Sequence, residues 1–296
     1  DTICHYFFED GTRFQAHKSW DDFDKSLQGI ASDSERKALK KQLEKAAFRY
    51  NTTAPLFIEQ SLHKARNFFN FKTLKGLFYT PKLNLFQSMD NENQQRVGNK
   101  YLVQYLNRFA TYNGSDPYRA PALLNMIPHL EQQLGSYYPK GGMVSIPTSL
   151  YQLAVKQGVT FHFGHPVQEI IAPNHKAKGV HVLNQSSGES LTLLGDVVVS
   201  NADIYTTYNK LLPQHTAPKR TLKQERSSSA LVFYWGIAAT FPELDLHNIL
   251  FSGDYEQEFK DLFAGGAPYE DPTIYINISS KCDAKDAPEG CENWFV

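Results

Sequence analysis

Hydrophobic and polar residues alternate with a period of two at the start of the chain. Residues 3–8 and 13–16 have the alternation that is typical of β-strands, and Asp10 and Gly11 lie between them. A glycine that follows an aspartate supplies the positive φ angles of a tight hairpin turn. The pattern therefore predicts an N-terminal β-hairpin.

Apolar residues then recur every three or four positions, which is the spacing of one helix face. Either Ser32 or Asp33 can cap the first of these helices, because both side chains accept hydrogen bonds from free backbone N–H groups. The apolar positions of that helix are Leu39, Leu43, Ala47 and Tyr50. Further helices are predicted at residues 99–109, at residues 145–158 and at residues 203–212, the last one capped by Asp203.

Short runs rich in β-branched and aromatic residues dominate the second half of the chain. The first group lies between Gly, Asn and Ser residues, at 159–163, 167–171, 179–183, 190–194 and 197–200. The second group lies at 230–237, 248–252, 273–279 and 293–296, with a helix near 255–263. We expect the second group to form an antiparallel sheet. No repeat or long linker is present, which favours one continuous body or two tightly apposed ones.

Residues 61–89 have the most unusual local composition in the chain. They contain no acidic residue, and basic side chains alternate with large apolar and aromatic ones. Such a segment can lie among lipid headgroups, with its rings at the acyl boundary and its amines beside phosphates. It can equally be a helical pair whose aromatic face is ordinary core. The composition leaves both interpretations open.

The overall composition excludes several classes of protein. Thirty basic and thirty-one acidic residues give a formal net charge of −1, which provides no electrostatic reason to bind nucleic acid. No run of about eighteen apolar residues is present, so no membrane-spanning helix is predicted. The three cysteines and ten histidines lack metal-ligand spacing, and an odd cysteine count argues against a disulfide framework. We expect no metal site and a reducing, cytoplasmic compartment.

Two segments are candidate binding regions, although the sequence contains no Gly-x-Gly-x-x-Gly, Walker, Gly-x-Ser-x-Gly or His-Glu-x-x-His motif. The first comprises residues 108–121, 125–129 and 137–143, which combine aromatic rings, two arginines and the pair Gly141–Gly142. Adjacent glycines let a backbone approach a flat ligand closely, but a glycine pair is more often an ordinary turn.

The second candidate region, residues 196–203, is an apolar run that ends in small polar residues before a helix. A strand of this kind can deliver backbone groups to a ligand at its carboxyl end. A buried strand followed by a capped helix explains the same pattern equally well.

These segments, in this order and spacing, resemble the phytoene-desaturase-like family of FAD-dependent carotenoid desaturases and isomerases. Residues 108–122 match its motif R-x-A-T-Y-x-G-S-x-P-Y-x-A-P-A, and residues 197–203 match V-V-x-S-N-A-D. Residues 127–129, 228–236 and 287–291 also match. Within the family, the motifs are most similar to the bacterial 1-hydroxycarotenoid 3,4-desaturase branch, with phytoene desaturase/isomerase as the nearest rival.

The resemblance implies an α/β (α+β) fold that is part of a two-domain flavoprotein of the glutathione-reductase/amine-oxidase type. Residues 1–140 would be the mainly helical part of a substrate and membrane-contact domain, residues 141–215 a remnant of the FAD-binding domain, and residues 216–296 the antiparallel sheet of the substrate domain. The family's glycine fingerprint and closing flavin segment are absent. We therefore expect the chain to be an internal piece of a longer protein that binds FAD poorly by itself.

The resemblance also implies FAD as the cofactor. For each position that matches a cofactor-contacting position of the family, an ordinary strand or turn is the alternative explanation. These positions are Gly141, Gly142 and Met143 beside the flavin ring, Val167 near the adenine, and Ser200, Asn201 and Ala202 at a strand end near the dinucleotide.

The implied reaction removes two hydrogens from adjacent carbons of a long carotenoid, with the hydride going to the flavin. Arg108, Asp116 and Arg119 are the candidates for proton removal or for a polar contact near the flavin, and a loop salt bridge is the alternative. Because the substrate is insoluble in water, residues 61–89 are the expected contact with a membrane surface. A non-catalytic lipid- or carotenoid-binding module and a flavin amine oxidase-like enzyme are the other classes considered.

Overall fold

Two β-sheets and several helices make up the part of the chain that the structure describes. A computed structural model describes residues 2–61, 64, 83–265 and 269–296. The strands are β1 (Thr2–Phe7), β2 (Arg13–His17), β3 (Val167–Ile171), β4 (Gly179–Leu183), β5 (Ser190–Leu194), β6 (Tyr234–Ile237), β7 (His247–Leu250), β8 (Ile274–Asn277) and β9 (Glu292–Phe295). The α-helices are α1 (Trp20–Ser26), α2 (Asp33–Phe57), α3 (Met89–Arg96), α4 (Lys100–Asn107), α5 (Ser145–Lys156), α6 (Ile204–Thr206), α7 (Lys219–Leu222) and α8 (Tyr255–Ala264).

The larger sheet has the strand order β2-β1-β7-β8-β9-β6. The predicted N-terminal hairpin is confirmed, since β1 and β2 pair antiparallel and Gly11 has a φ of 81° in the turn. The strands β7, β8, β9 and β6 pair antiparallel in that order, as predicted for the last third of the chain, and β1 adds to β7 as a parallel neighbour. Parallel neighbours need a long crossover, and the helical residues between the hairpin and β6 supply it.

Capping side chains fix where the predicted helices begin. Ser32 caps α2 by accepting from the Glu35 N–H, while the Glu35 carboxylate accepts from the Ser32 N–H, so two free backbone donors are satisfied. Asn99 caps α4 by accepting from the N–H groups of Tyr101 and Leu102. Short 3-10 and π-helical turns follow α4 at Arg108–Asn113, Ala122–Met126 and Leu130–Leu134. The predicted helix that Ser32 caps and the helix predicted at residues 99–109 are both confirmed.

Aromatic rings form the core between the hairpin and the helices. Tyr6 and Tyr105 meet edge to face, with ring centroids 5.2 Å apart, and Phe14 and Phe23 pack beside them. All four side chains are at most 3% exposed. Burial of each such side chain contributes roughly 1.5–3 kcal/mol relative to exposure. The core therefore holds the hairpin, and with it the sheet, against α1 and α4.

Glu92 is a buried carboxylate at the centre of a polar network among the helices. Its side chain is 1% exposed and contacts Arg49 and Lys45 at 2.7 Å and Arg96 at 2.9 Å. The Asn125 amide donates a further hydrogen bond of 3.0 Å. Burial by itself raises the pKa of this carboxyl group, but the hydrogen bonds from Arg49 and Lys45 outweigh that effect. The pKa of Glu92 therefore lies well below its usual range.

Residues 144–226 form a compact unit of their own, and residues 1–143 with 227–296 form another. The smaller unit contains a three-stranded antiparallel sheet with β4 at its centre. The prediction of strands at 159–163 and 197–200 is wrong. Neither segment pairs through backbone hydrogen bonds with a strand of the described residues. The three-part division of the chain at residues 140 and 215 stays a prediction.

Gly179 lies where β4 passes close to β5. Its φ is +156°, and an added Cβ would clash with the carbonyl oxygen of Leu193. We expect Gly179→Ala to lower the free energy of unfolding by roughly 1–3 kcal/mol, because the backbone of β5 must shift. Chemical unfolding followed by circular dichroism checks this. Gly195→Ala is the control, since its Cβ would meet nothing nearer than 3.5 Å; equal unfolding midpoints for the two variants would contradict the prediction.

Most of the predicted membrane-contact segment, residues 61–89, lies outside the described residues. In the described part of the chain, no helix has both the length and the apolarity to cross a bilayer.

Candidate functional site

A cavity of about 1290 Å³ opens on one face of the larger sheet, within the unit formed by residues 1–143 and 227–296. Side chains alternate along a strand, so His247 and Ile249 of β7 and Tyr275 and Asn277 of β8 share this face. The volume exceeds the usual range of roughly 300–1000 Å³ for small-ligand pockets. The aromatic residues of the lining are Tyr112, Tyr137, Tyr138, Tyr234, Phe251, Tyr255, Phe259, Tyr275 and Phe295. Such a lining suits a long apolar ligand.

A buried ion pair forms part of the cavity wall. One guanidinium nitrogen of Arg108 donates to both carboxylate oxygens of Glu131, at 2.6 and 2.9 Å, and the Tyr112 hydroxyl donates to Oε2 at 2.6 Å. The guanidinium also lies 4.2 Å from the ring centre of Phe109 and 5.3 Å from that of Tyr6. Ion pairs at this depth are costly unless hydrogen bonds satisfy both partners. Both carboxylate oxygens of Glu131 accept hydrogen bonds, whereas Nε of Arg108 is buried without a hydrogen-bond partner. The pair places a fixed carboxylate in the wall of a cavity that is rich in aromatic rings.

Gly114 brings the segment after Arg108 against the start of the last third of the chain. It ends the turn Arg108–Asn113 with a φ of +60°, and its carbonyl accepts from the Ser228 N–H at 3.0 Å. A Cβ at Gly114 would lie only 2.7 Å from the Cβ of Ser227. Glycine is therefore required both by the left-handed backbone and by the close approach. This contact joins two of the motifs that the sequence singled out, residues 108–121 and 228–236.

Asp116 and Arg119, the other two sequence candidates, form a pair with each other. The Arg119 Nε donates to Asp116 Oδ2 at 2.8 Å, and the Tyr118 N–H donates to Oδ1 at 2.8 Å. The Arg119 guanidinium lies 4.7 Å from the ring centre of Phe263. Neither residue belongs to the described cavity lining, whereas Arg108 does. The structure thus separates the three candidates into one cavity residue and one loop ion pair.

A second polar cluster lies on the sheet side of the cavity. The Tyr275 hydroxyl and Nδ1 of His247 are 2.7 Å apart, and Nδ2 of Asn277 is 3.3 Å from the same ring nitrogen. Partial burial lowers the pKa of His247 and raises the pKa of Tyr275 to about 12. Both side chains are therefore neutral near neutral pH. Among the described residues, no group of His, Cys, Asp and Glu could hold a metal ion.

The first group of positions that match cofactor contacts of the family, residues 141–143, lies at the end of the first of the two segments that form the larger unit. Gly141 and Gly142 have φ angles of +85° and +80°, and a Cβ on Gly141 would meet no atom within 4 Å. Met143 follows and is 61% exposed. The backbone at this turn is therefore open to a flat group.

The second group lies in the smaller unit. Val167 begins β3, an edge strand, and is 38% exposed. Ser200, Asn201 and Ala202 are exposed and precede the Asp203 cap, and the Ser200 hydroxyl bonds that of Thr207 at 2.8 Å. The backbone groups of these residues are accessible, and the segment does not pair with any described β-strand.

Comparison with known proteins identifies the class. Residues 1–235 match the family of flavin containing amine oxidoreductases, and the chain belongs to that family. The fold is similar to an oxidoreductase from Methanosarcina mazei at a TM-score of 0.59, with 14% identity over the whole chain and 59% of that structure. Predicted fold class and FAD-dependent family are thereby confirmed.

The names of individual relatives describe narrower activities than the family name does. The chain is 48% identical to a 1-hydroxycarotenoid 3,4-desaturase of Flavobacterium over its full length, which is 59% of that protein. It is 39% identical over 62% of its length to a zeta-carotene-forming phytoene desaturase of Myxococcus xanthus, covering 35% of that protein. The predicted similarity to carotenoid desaturases is confirmed. The match therefore spans little more than half of the first relative and about a third of the second.

The residues of this chain meet only some of the requirements for binding the flavin of the family. The open glycine turn and the exposed backbone of residues 200–202 are accessible in the way that contact with a ring or a dinucleotide requires. The sequence contains no glycine fingerprint to hold the pyrophosphate. The chain thus carries candidate ring and adenine contacts, and their role stays a prediction.

Sequence reasoning missed two groups of the cavity, Glu131 and His247. Glu131 follows a long stretch without acidic residues, and His247 is a lone histidine in a strand. Only their positions in three dimensions bring Glu131 against Arg108 and His247 against Tyr275. A carboxylate within three residues of the Ile-Pro-His motif was the one signal that could have found Glu131.

Proposed function

We propose that the whole protein containing this chain is an FAD-dependent desaturase of long apolar carotenoids, and that its substrate is a 1-hydroxycarotenoid desaturated at the 3,4 position. The observation that carries the proposal is the aromatic cavity with a buried carboxylate in its wall. A polyene needs a long apolar site, and dehydrogenation needs a group to receive a proton. The 48% identity to a relative of that activity supports the choice of substrate.

The residues of the cavity have distinct tasks in this proposal. Bound FAD would supply the hydride acceptor. The aromatic lining excludes water and keeps the polyene extended. Loss of the hydride makes the adjacent C–H bond acidic, so a carboxylate is a sufficient base; Glu131 takes that proton, and the electron pair left behind becomes the new double bond. Arg108 holds the Glu131 carboxylate in place through its two hydrogen bonds.

For FAD, the proposal assigns Gly141, Gly142 and Met143 to the flavin ring and Val167 to the adenine. Ser200, Asn201 and Ala202 are assigned to the dinucleotide. Their exposed backbone supports this assignment. Other parts of the whole protein must supply the pyrophosphate loop.

Asp116, paired with Arg119, is the alternative to Glu131 as the group that takes the proton. Their mutual ion pair favours a structural task in the loop. The loop carries Tyr118, whose ring packs on Phe259 of the cavity lining at 6.3 Å. A loop task would therefore still affect the shape of the cavity.

Delivery of the substrate requires contact with a bilayer, because a carotenoid does not dissolve in water. We place this contact at residues 61–89, whose basic and aromatic composition suits anionic lipid headgroups. The protein would then be a peripheral membrane protein on the cytoplasmic side.

The visible absorption spectrum of the whole protein, recorded anaerobically with liposomes that carry a 1-hydroxycarotenoid, tests the proposed function. We expect the flavin bands to bleach while the carotenoid spectrum moves to longer wavelength, because hydride transfer and extension of the polyene occur together. Liposomes without carotenoid are the control. A protein that retains carotenoid but has no flavin bands would instead support a non-catalytic binding module, and turnover of phytoene alone would support a phytoene desaturase.

A further inference from the structure

The polar cluster of His247, Tyr275 and Asn277 has no task in hydrogen removal. It lies in the same cavity as Arg108 and Glu131, yet it carries no charge near neutral pH. Neutral polar groups in an aromatic lining fix the orientation of a ligand through hydrogen bonds.

The hydrogen bonds within the cluster determine which of its atoms can donate and which can accept. The Asn277 amide Nδ2 also donates to the Leu246 carbonyl at 3.1 Å, which fixes Nδ2 as the N–H side of the amide. A ring nitrogen 3.3 Å from Nδ2 is therefore an acceptor, and it also accepts the Tyr275 O–H at 2.7 Å. The proton of a neutral His247 then lies on Nε2.

Two groups of the cluster are left over for a ligand. Nε2–H of His247 is a donor for which the described residues offer no hydrogen-bond partner, and the Tyr275 oxygen keeps lone pairs as an acceptor. An alcohol can accept from Nε2–H of His247 or donate to the Tyr275 oxygen, so it is complementary to either group. A hydrocarbon would leave both groups unsatisfied.

The strand geometry makes the cluster rigid. His247 and Asn277 are register partners of the antiparallel pair β7 and β8, and Ile249 is opposite Tyr275. The rings of His247 and Tyr275 are stacked with an interplanar angle of 23°. Side chains held on paired strands keep their positions when a ligand enters, which is the condition for selecting one ligand over another.

We propose that His247, Tyr275 and Asn277 form a subsite that binds the hydroxyl group of a hydroxylated carotenoid and so selects it over the carotenoid that lacks this group. The inference rests on the proposed function and names the residues that give it its substrate preference. Loss of the hydroxyl leaves the polar groups of the subsite unpaired, which is why such sites discriminate strongly.

The test compares a 1-hydroxycarotenoid with the same carotenoid without its hydroxyl, both in liposomes, on the whole protein. Dissociation constants from fluorescence quenching and desaturation rates are measured separately. We expect the wild type to bind the hydroxylated compound at least about tenfold more tightly. His247→Phe and Tyr275→Phe are expected to lose most of that preference by weakening only the hydroxylated compound.

Tyr275→Phe removes a single oxygen, so it keeps the assay meaningful if His247→Phe fails to fold. Tyr269→Phe removes a phenol oxygen outside the described cavity lining and should keep the wild-type preference. Equal affinity of the wild type for the two carotenoids would overturn the subsite, as would an equal loss of both in the variants. Preference in binding without any desaturation would support the subsite and refute the proposed desaturase.

Discussion

Glu131→Gln is expected to slow reduction of the flavin by carotenoid about 10²- to 10⁴-fold, because the amide cannot take the proton that the carboxylate receives. Gln keeps an oxygen for the hydrogen bonds from Arg108 and Tyr112. The dissociation constant of the carotenoid should therefore change little. Anaerobic stopped-flow measurement of the flavin bands gives the rate, and fluorescence quenching gives the affinity.

Two further variants separate catalysis by Glu131 from a structural effect. Glu131→Asp retains a carboxylate and should recover part of the rate, whereas a purely structural role predicts no recovery. Asp116→Asn removes the rival carboxylate in the loop pair with Arg119. A large rate loss in Asp116→Asn together with a normal rate in Glu131→Gln would move proton removal to the loop.

Glu92→Ala is expected to lower the free energy of unfolding by about 3–5 kcal/mol, the usual cost of removing one partner from a buried ion pair. Arg49, whose side chain is fully buried, would be left without its carboxylate. Glu256→Ala breaks the exposed pair with Lys260 and should change stability by less than about 0.5 kcal/mol. Urea unfolding of both variants checks the contrast, and equal midpoints would refute it.

The same carboxylate predicts a pH dependence of stability. The pKa of Glu92 is lower in the folded than in the unfolded chain, so the folded state favours the charged form. Its contribution is fully present above the unfolded value of about 4.5 and is lost as pH falls toward the folded pKa. The wild type should lose more stability between pH 5 and about pH 3 than Glu92→Gln does. Parallel curves for the two proteins would contradict this assignment.

Local signals in the sequence were sufficient for the elements whose determinants are local. The Asp10–Gly11 pair predicted the hairpin, and Ser32 and Asn99 marked the starts of α2 and α4. Turn and cap chemistry involves residues within a few positions of each other, so it can be read from one segment. The family motifs in turn indicated the class of flavoprotein.

Pairing over long distances could not be predicted in this way. Nothing in residues 3–8 specifies β7 as a parallel neighbour, and nothing in 159–163 or 197–200 indicates that they lack one among the described strands. The candidate site follows the same rule. Arg108 was found because it lies in a motif, whereas Glu131 and His247 gain their meaning only from side chains far away in the chain.

The parallel pairing of β1 with β7 also has a consequence for how the chain is made. His5 pairs with Asn248, so one edge of β1 stays without its partner strand until roughly 240 further residues have been translated. At about 5–20 residues per second, the ribosome needs roughly 12–50 s for that length. An unpaired strand edge can recruit other chains during that interval. The yield of folded protein is therefore expected to rise when chaperones protect exposed strands during synthesis.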